Sequence, residues 1–291
     1  ALRDALADPP ASWLREALGV RLLRERPPPD DTEPLWIARD DRALVQSCVD
    51  RLLAGEDARR LAEEFAIAPP TAAGEPGRGQ AESIVRRARA LVDAAKPVIR
   101  AAAPVVATLD DVRIVAAAPM LGADDAPVFV TAFPLGAHAL IDAWLRAALW
   151  REARGGAPAR LLSPDWLVEL HCSDPQRSLR HALEWARRIG SEPLALFPRG
   201  WLRYALTLAV PPRGGAPRSP EAREAAARER ARATLVGTGF GGPAPELARP
   251  AAVALLRDAE PDVEAVLALG ERVYRPILDD IVLKSRGEEQ G

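Results

Sequence analysis

Apolar residues recur every three to four positions through the first third of the chain, which is the spacing of one face of an α-helix. Helices are predicted over residues 9–18, 41–54, 57–66 and 80–95. Gly19 can end the first helix in a left-handed conformation, and Asp40 or Asp41 can cap the second. The three prolines at 27–29 indicate an extended linker, and the Pro- and Gly-rich residues 69–79 indicate a loop.

After Lys96 the pattern changes to short apolar runs separated by turn residues. The runs cover residues 98–108, 112–121 and 128–133. Tight turns are predicted between them, at Asp110–Asp111 and at residues 122–125. Together the runs and turns predict a three-stranded antiparallel meander.

The rest of the chain alternates helices with short strands. The pattern predicts a helix at 136–153, a strand pair at 160–162 and 166–171, and a helix from Ser173 or Asp174 to Ile189 that Gly190 closes. A strand is predicted at 194–197, followed by a helix after Pro198. The last elements are a linker at 211–220, a charged helix at 219–235 and a helix at 262–281. This order predicts an α/β fold with a central mixed sheet flanked by helices. We expect one domain over residues 1–291, with a helical part (1–96), an α/β core (97–210) and a mainly helical part (211–291).

Net charge, apolar runs and cysteine count each argue against a class of protein. The 291 residues carry a net charge of −2, whereas a domain that binds duplex DNA tightly by itself is usually basic. No apolar run approaches the ~20 residues that span a bilayer, and no segment has the pattern of a signal peptide. Only Cys48 and Cys172 occur, which indicates no disulfide framework and favours the cytoplasm. Because the chain starts at Ala1 without a Met, we expect it to be a piece of a longer polypeptide.

The order of a meander, a helix and another strand is that of PD-(D/E)XK nucleases. In these enzymes one strand carries an Asp and the next carries Asp/Glu-x-Lys; the carboxylates hold Mg²⁺ and the Lys steadies the attacking water. On this template Pro119 falls near the first Asp, and Ala132 and Pro134 fall near the acidic residue and the Lys. Lys96, at a helix end, and Lys284, in the tail, do not fit the role of the Lys. We therefore predict a nuclease-like fold without catalytic residues, with no metal ligand and no cofactor.

Other groups that carry chemistry have simpler interpretations. Asp124–Asp125 is predicted to be a solvated turn, and Asp279–Asp280 is predicted to be exposed. The glycine-rich residues 237–242 lack the Gly-Lys-Ser/Thr ending of a phosphate loop and predict a flexible loop. The remaining candidates, which lack zinc-ligand spacing and are expected in the core or on the surface, are His138, His171, His181 and Cys172.

Cations and aromatic side chains alternate in the helix after Pro198. Arg199, Trp201, Arg203 and Tyr204 are candidates for DNA contact, because aromatic rings stack on bases and arginines bind phosphates. The alternative is an amphipathic helix with Trp201 in the core. In the helix at 219–235, arginines alternate with glutamates, which predicts a solvated, salt-bridged face.

Residues 10–55 carry a sequence of features that resembles one family. They include a helix that enters the residues LGVRL at 18–22, an acidic DTEP turn at 31–34 and a helix that closes in LLAG at 52–55. This order resembles the start of the C-terminal domain of RecC, the gamma subunit of exodeoxyribonuclease V. Further segments are similar to that domain: VRIVAAAPML at 112–121, RLL at 160–162, HAL at 181–183, PLALFP at 193–198 and VYRPIL at 273–278. Residues 205–260 depart most from the family.

The resemblance implies a role. It implies a non-catalytic scaffold domain that contacts the beta and alpha subunits and guides DNA, at a duplex end or fork, in double-strand break repair and recombination. The chain would have no activity by itself but would be part of an ATP-dependent helicase–nuclease complex, without a membrane partner. The resemblance also suggests a strand-separating role for the hairpin around residues 122–125. Two alternatives stay open at this point: an active metal-dependent PD-(D/E)XK nuclease, and a stand-alone module that binds forked or single-stranded DNA.

Overall fold

The structure is a computed structural model that describes residues 2–22, 41–67, 74–98, 103–209, 219–237, 245–257 and 262–285. Its helices are α1 Leu2–Ala7, α2 Pro9–Leu18, α3 Arg42–Leu53, α4 Ala58–Ile67, α5 Glu75–Ala95, α6 Ala137–Arg154, α7 Pro175–Ser191, α8 Pro198–Ala209, α9 Pro220–Val236, α10 Pro250–Leu256 and α11 Val263–Asp279. Its strands are β1 Pro97–Val98, β2 Val105–Leu109, β3 Val112–Ala116, β4 Met120–Gly122, β5 Pro127–Val130, β6 Ala159–Leu162, β7 Trp166–Leu170 and β8 Ile281–Ser285.

Contacts within the chain divide it into two compact units. Unit 1 comprises Ala1–Arg24, Gly136–Ala148 and Cys172–Ile281. Unit 2 comprises Glu25–Leu135, Leu149–His171 and Val282–Gly291. The expectation of one domain over residues 1–291 stays a prediction.

Unit 2 holds the six-stranded sheet, apart from Ile281 of β8, in the order β1-β4-β5-β6-β7-β8. The pairs β1–β4, β4–β5 and β6–β7 are antiparallel, whereas β5 and β6 are parallel. A parallel pair needs a crossover connection, which α6 supplies. The predicted α/β class, with a mixed sheet flanked by helices, is therefore confirmed.

The helical layer of unit 2 includes α3, α4 and α5. Its apolar cluster includes Val45, Cys48, Val49, Leu61, Ile84 and Ala88, and it reaches the sheet through Val130 and Ala132. Burial of this apolar surface is the main force that holds helices and sheet together. Asp41 precedes α3 without a side-chain cap bond and instead pairs with Arg87 of α5.

The meander differs from the prediction. The run at 98–108 divides into β1 and β2, and the run at 112–121 divides into β3 and β4. Among the described strands, β2 and β3 pair with each other alone and form a second, two-stranded sheet, so the meander of the main sheet is β1–β4–β5. Alternation of apolar residues identifies strands but does not identify their neighbours, so it cannot predict this division. The turns at Asp110–Asp111 and at 122–125 are confirmed.

Four predicted boundaries are also wrong. Residues 75–79 belong to α5, because Pro76 lies in the first turn, where its missing N–H costs no helical hydrogen bond. Residues 194–197 are not a strand: the N–H groups of Leu194 and Leu196 bond to carbonyls two residues earlier, at 2.9 and 2.8 Å. Gly190 lies inside α7, which ends at Ser191. The last helix ends at Asp279, and Lys284 is part of β8 and not of an irregular tail.

The first predicted helix, at 9–18, matches α2 closely, whereas α1 before it was not predicted. α2 starts at Pro9 and ends before Gly19, whose φ of 66° is left-handed. Segments outside the described residues include the prolines at 27–29, the DTEP turn at 31–34, the loop at 68–73, most of the 211–220 linker and the glycines at 239–242.

Candidate functional sites

The three predicted nuclease positions lie at the same end of one hairpin. Pro119 immediately precedes β4, and Ala132 and Pro134 follow β5, so all three lie at the end opposite the 122–125 turn. Pro119 and Ala132 are buried and Pro134 is exposed. The Ala132 N–H donates to Gln46 Oε1 at 2.7 Å. None of these three side chains carries a carboxylate or an amine for metal or proton chemistry.

The paired acids of the 122–125 turn are exposed, as predicted. Asp124 Oδ1 accepts a hydrogen bond from Arg160 Nη2 at 2.7 Å, and the backbone of Asp125 is left-handed, with a φ of 58°. This pair fixes the turn against β6. Across the described part of the chain, no group of three or more His, Cys, Asp or Glu side chains could hold a metal ion.

The three histidines lie on different parts of the fold, and only His171 and Cys172 are neighbours, in the segment after β7. His138 is on α6, His171 follows β7 with its Nε2 3.8 Å from Glu169 Oε2, and His181 Nε2 on α7 donates to Val273 O at 2.8 Å. Cys48 and Cys172 are both buried, and the Cys172 Sγ lies 3.9 Å from Trp144 O as a donor. Burial raises the pKa of the Cys48 thiol to about 11.

Helix α8 carries the predicted DNA-contact residues, but they do not share one surface. Trp201 is 2% exposed, and its Nε1–H donates a hydrogen bond to Glu271 Oε2 at 3.3 Å. Its ring packs on Tyr274, 5.0 Å between centroids. Arg203 is exposed, whereas Arg199 and Tyr204 are partly buried. Trp201 in the core agrees with the alternative interpretation, so its ring is not presented to a base in this conformation.

The N-terminus of α8 is capped by a carboxylate from outside the helix. Glu246 Oε1 accepts the Arg199 N–H at 3.1 Å, and its Oε2 accepts the Gly200 N–H at 2.8 Å. The side chain is almost fully buried, and burial raises the pKa of its carboxyl, whereas the two N–H groups act in the opposite direction. The first N–H groups of a helix need such acceptors because no helical carbonyl precedes them. No local pattern around residue 246 signals this role.

A cleft of about 570 Å³ lies between α7 and α11 in unit 1. Its lining includes His181 together with three arginines and four acidic residues: Arg177, Arg272, Arg275, Asp174, Glu271, Asp279 and Asp280. Arg275 bonds Glu271 Oε1 and Asp279 Oδ1, each at 2.8 Å. The cleft therefore has fixed charges of both signs and no excess of positive charge. No sequence pattern predicts this cleft, because its two walls lie about a hundred residues apart along the chain.

Asp280 at this cleft contradicts the predicted exposure of the Asp279–Asp280 pair. Asp279 is exposed but Asp280 is buried. Asp280 Oδ2 accepts Trp144 Nε1–H at 2.9 Å and the Ser178 hydroxyl at 3.0 Å, and its Oδ1 accepts the Ser173 N–H at 3.3 Å. A buried carboxylate is tolerated only with such partners. Asp280 thus joins α6, α7 and α11 within unit 1.

Comparison with models of protein families identifies the family of this chain. The family model of the RecC C-terminal domain matches residues 1–209. The chain belongs to the RecC C-terminal domain family. Membership supports a general role in the gamma subunit of exodeoxyribonuclease V and in DNA repair. No curated protein matches the chain. Within the described residues, no helix is long and apolar enough to cross a membrane.

Proposed function

We propose that this chain is a non-catalytic scaffold domain of the exodeoxyribonuclease V gamma subunit. In this proposal it contacts the beta and alpha subunits in the cytoplasm and guides a duplex end or fork during double-strand break repair and recombination. The observation that carries the proposal is the chemistry of the β4–β5 hairpin end. Pro119, Ala132 and Pro134 occupy it, and none of them can bind Mg²⁺ or activate water.

The sheet topology supports a PD-(D/E)XK-like fold as the origin of this site. β1, β4 and β5 form an antiparallel meander, α6 follows, and β6 joins parallel to β5. This is the meander–helix–strand order of those nucleases, with the β2–β3 hairpin inserted between β1 and β4. The proposal is therefore a nuclease-like core that has lost its catalytic residues.

The same proposal extends to the whole of residues 1–291 as one RecC C-terminal-like domain, with parts at 1–96, 97–210 and 211–291. Its support is that helices beyond the matched residues complete unit 1. For example, Glu246 caps α8 and Asp280 bonds α6 and α7.

The test of catalytic silence uses the assembled complex. We expect the double variant D124N/D125N to leave Mg²⁺-dependent cleavage of linear duplex DNA unchanged. The matched control is D110N/D111N, which alters the other exposed acidic turn. Loss of cleavage only in D124N/D125N would contradict the proposal and support the active-nuclease alternative.

DNA contact by α8 is proposed mainly through Arg203, with Arg199 and Tyr204 beside it, because Arg203 is the exposed cation of the set. In the assembled complex, R203A should weaken the binding of forked DNA. It should also reduce the slope of the logarithm of the binding constant against the logarithm of salt concentration by about 1. The control is R230A, an exposed arginine on α9. Equal binding by R203A and the control would remove α8 from the DNA path.

A further inference from the structure

The β4–β5 hairpin loses its strand pairing before β5 ends. Met120, the first residue of β4, pairs with Val128, yet β5 continues to Val130. The residues before β4 do not extend the pairing, because the preceding strand, β3, has left for the second sheet. β5 therefore projects beyond β4 at the end that carries the predicted nuclease positions.

Beyond Val128, the backbone N–H and C=O groups of β5 on the β4 side have no β4 residue opposite them. Alternate residues of a strand direct their N–H and C=O groups to the same side. The Thr131 N–H bonds to Leu162 O of β6 at 2.9 Å, which assigns odd-numbered residues here to the β6 side. Val130 therefore directs its groups to the β4 side, and the N–H of Ala132, two residues after the end of β5, bonds on the same side as Val130 O. Ala132 is buried, so its N–H needs an acceptor.

The side-chain amide of Gln46, on α3, supplies that acceptor. Its Oε1 accepts the Ala132 N–H at 2.7 Å, and its Nε2 lies 3.5 Å from Val130 O. The Nε2 also donates to Asp50 Oδ1 at 2.9 Å, one helical turn further along α3, which fixes the orientation of the amide. An amide side chain offers one acceptor and two donors, the same groups as a peptide unit.

We propose that Gln46 is a positioning residue whose amide takes the place of the missing β4 backbone groups and closes the open end of the β4–β5 hairpin. The neighbours of Gln46 on α3, Val45 and Val49, belong to the apolar cluster that contains Ala132. A single polar contact inside an apolar interface fixes the register of α3 on the sheet, because a shifted helix would leave the Ala132 N–H unpaired.

The consequence for the proposed function concerns the same hairpin end. There, the helical layer and a neutral amide stand where a nuclease would have carboxylates, a metal ion and water. Only this interpretation of the hairpin end as a former metal site rests on the proposed function. The hydrogen bonds of Gln46 do not depend on it.

The test is hydrogen exchange of the Ala132 amide in the full gamma chain, read by mass spectrometry with fragmentation to single residues. Three variants separate the hydrogen bond from simple packing. Q46A removes both, Q46M keeps the volume without an acceptor, and Q46E/D50N keeps an acceptor and places an amide donor at position 50. The matched control, S47A, introduces alanine at the next, exposed position of α3.

We expect exchange at Ala132 to rise roughly tenfold or more in Q46A and Q46M, and to stay near the wild-type rate in Q46E/D50N and S47A. Wild-type protection in Q46M, or no change in Q46A, would overturn the proposal. Failure of the scaffold proposal would appear instead as DNA cleavage that depends on Asp124 and Asp125. The two failures are therefore distinguishable.

Discussion

Three polar side chains, Gln46, Glu246 and Asp280, each bind backbone or side-chain groups that lie far away along the chain. A buried donor or acceptor without a partner costs more than an ordinary hydrogen bond gains. Each of these side chains therefore restricts which arrangement of helices is compatible with a folded unit. At the scale of single residues, these contacts make the fold specific, whereas apolar burial makes it favourable.

Replacing Glu246 should destabilise the chain. E246A leaves the Arg199 and Gly200 N–H groups without their acceptor, which is expected to lower the free energy of unfolding by about 1–3 kcal/mol. Urea titration followed by circular dichroism measures the change. E229A, at an exposed position of α9, is the control and should stay within about 0.5 kcal/mol of wild type.

The same residue gives a pH dependence with a defined sign. Burial raises the pKa of Glu246 in the folded state above its unfolded value. The folded state then holds the proton more tightly, so the contribution of Glu246 is greatest below the unfolded pKa and is lost as pH rises through the folded pKa. The stability difference between wild type and E246Q should fall across that window. A difference that is constant or grows with pH contradicts this assignment.

Cys48 should resist thiol reagents. With a pKa of about 11, on the order of one thiol in a thousand is ionised at pH 8, and the side chain is buried. Iodoacetamide labelling mapped by mass spectrometry should therefore find Cys48 unmodified in the native chain and modified in urea. Rapid native labelling at this position would show that the α3–α5 cluster opens readily.

At the scale of elements, the sequence predicted most helices and failed on strand neighbours. α2, α3, α4 and α9 match their predicted ranges within a residue or two, because an amphipathic face is a local signal. The division of the 112–121 run between two sheets, and β8, depend on distant partners and have no local signal. The site shows the same contrast. The absence of carboxylates was readable at Pro119 and Ala132, whereas Gln46, Glu246 and Asp280 were not.

In unit 1, a glycine allows helices α8 and α11 to approach each other closely. At Gly270 of α11, a Cβ would lie 2.7 Å from Trp201 Cδ1 and 2.9 Å from its Cγ. G270A should therefore destabilise the chain by about 1–3 kcal/mol despite the higher helix propensity of alanine. G79A on α5, where nothing lies within 4 Å, is the control and should stabilise by about 0.5–1 kcal/mol. The thermal unfolding midpoints of both variants, compared with wild type, measure these changes in stability. A higher midpoint for G270A would contradict the close contact.

At the scale of the whole molecule, the family match and the compact units have different boundaries. The match ends at residue 209, but unit 1 continues to Ile281. Tyr274 is an example: its hydroxyl donates to Leu6 O at 2.7 Å, across almost the whole sequence. Residues beyond 209 are thus part of the core of unit 1 and not an appendage.

Truncation tests this division. A chain of residues 1–209 should lose the cooperative unfolding of unit 1 and expose Phe197 and Trp201, which residues after 209 cover in part. A chain of residues 1–285 should keep it. Limited proteolysis and binding of a hydrophobic dye report the difference. Equal protease resistance of the two chains would mean that the matched region folds by itself.

We propose that this domain works by contact with its partner subunits and not by catalysis. The most direct measurement is co-purification of the beta subunit with the intact gamma chain, compared with a gamma chain that lacks this domain. We expect the beta subunit to be retained by the intact chain and to be lost, or strongly reduced, without the domain. No association of beta with the intact chain, or equal retention by both chains, would contradict it.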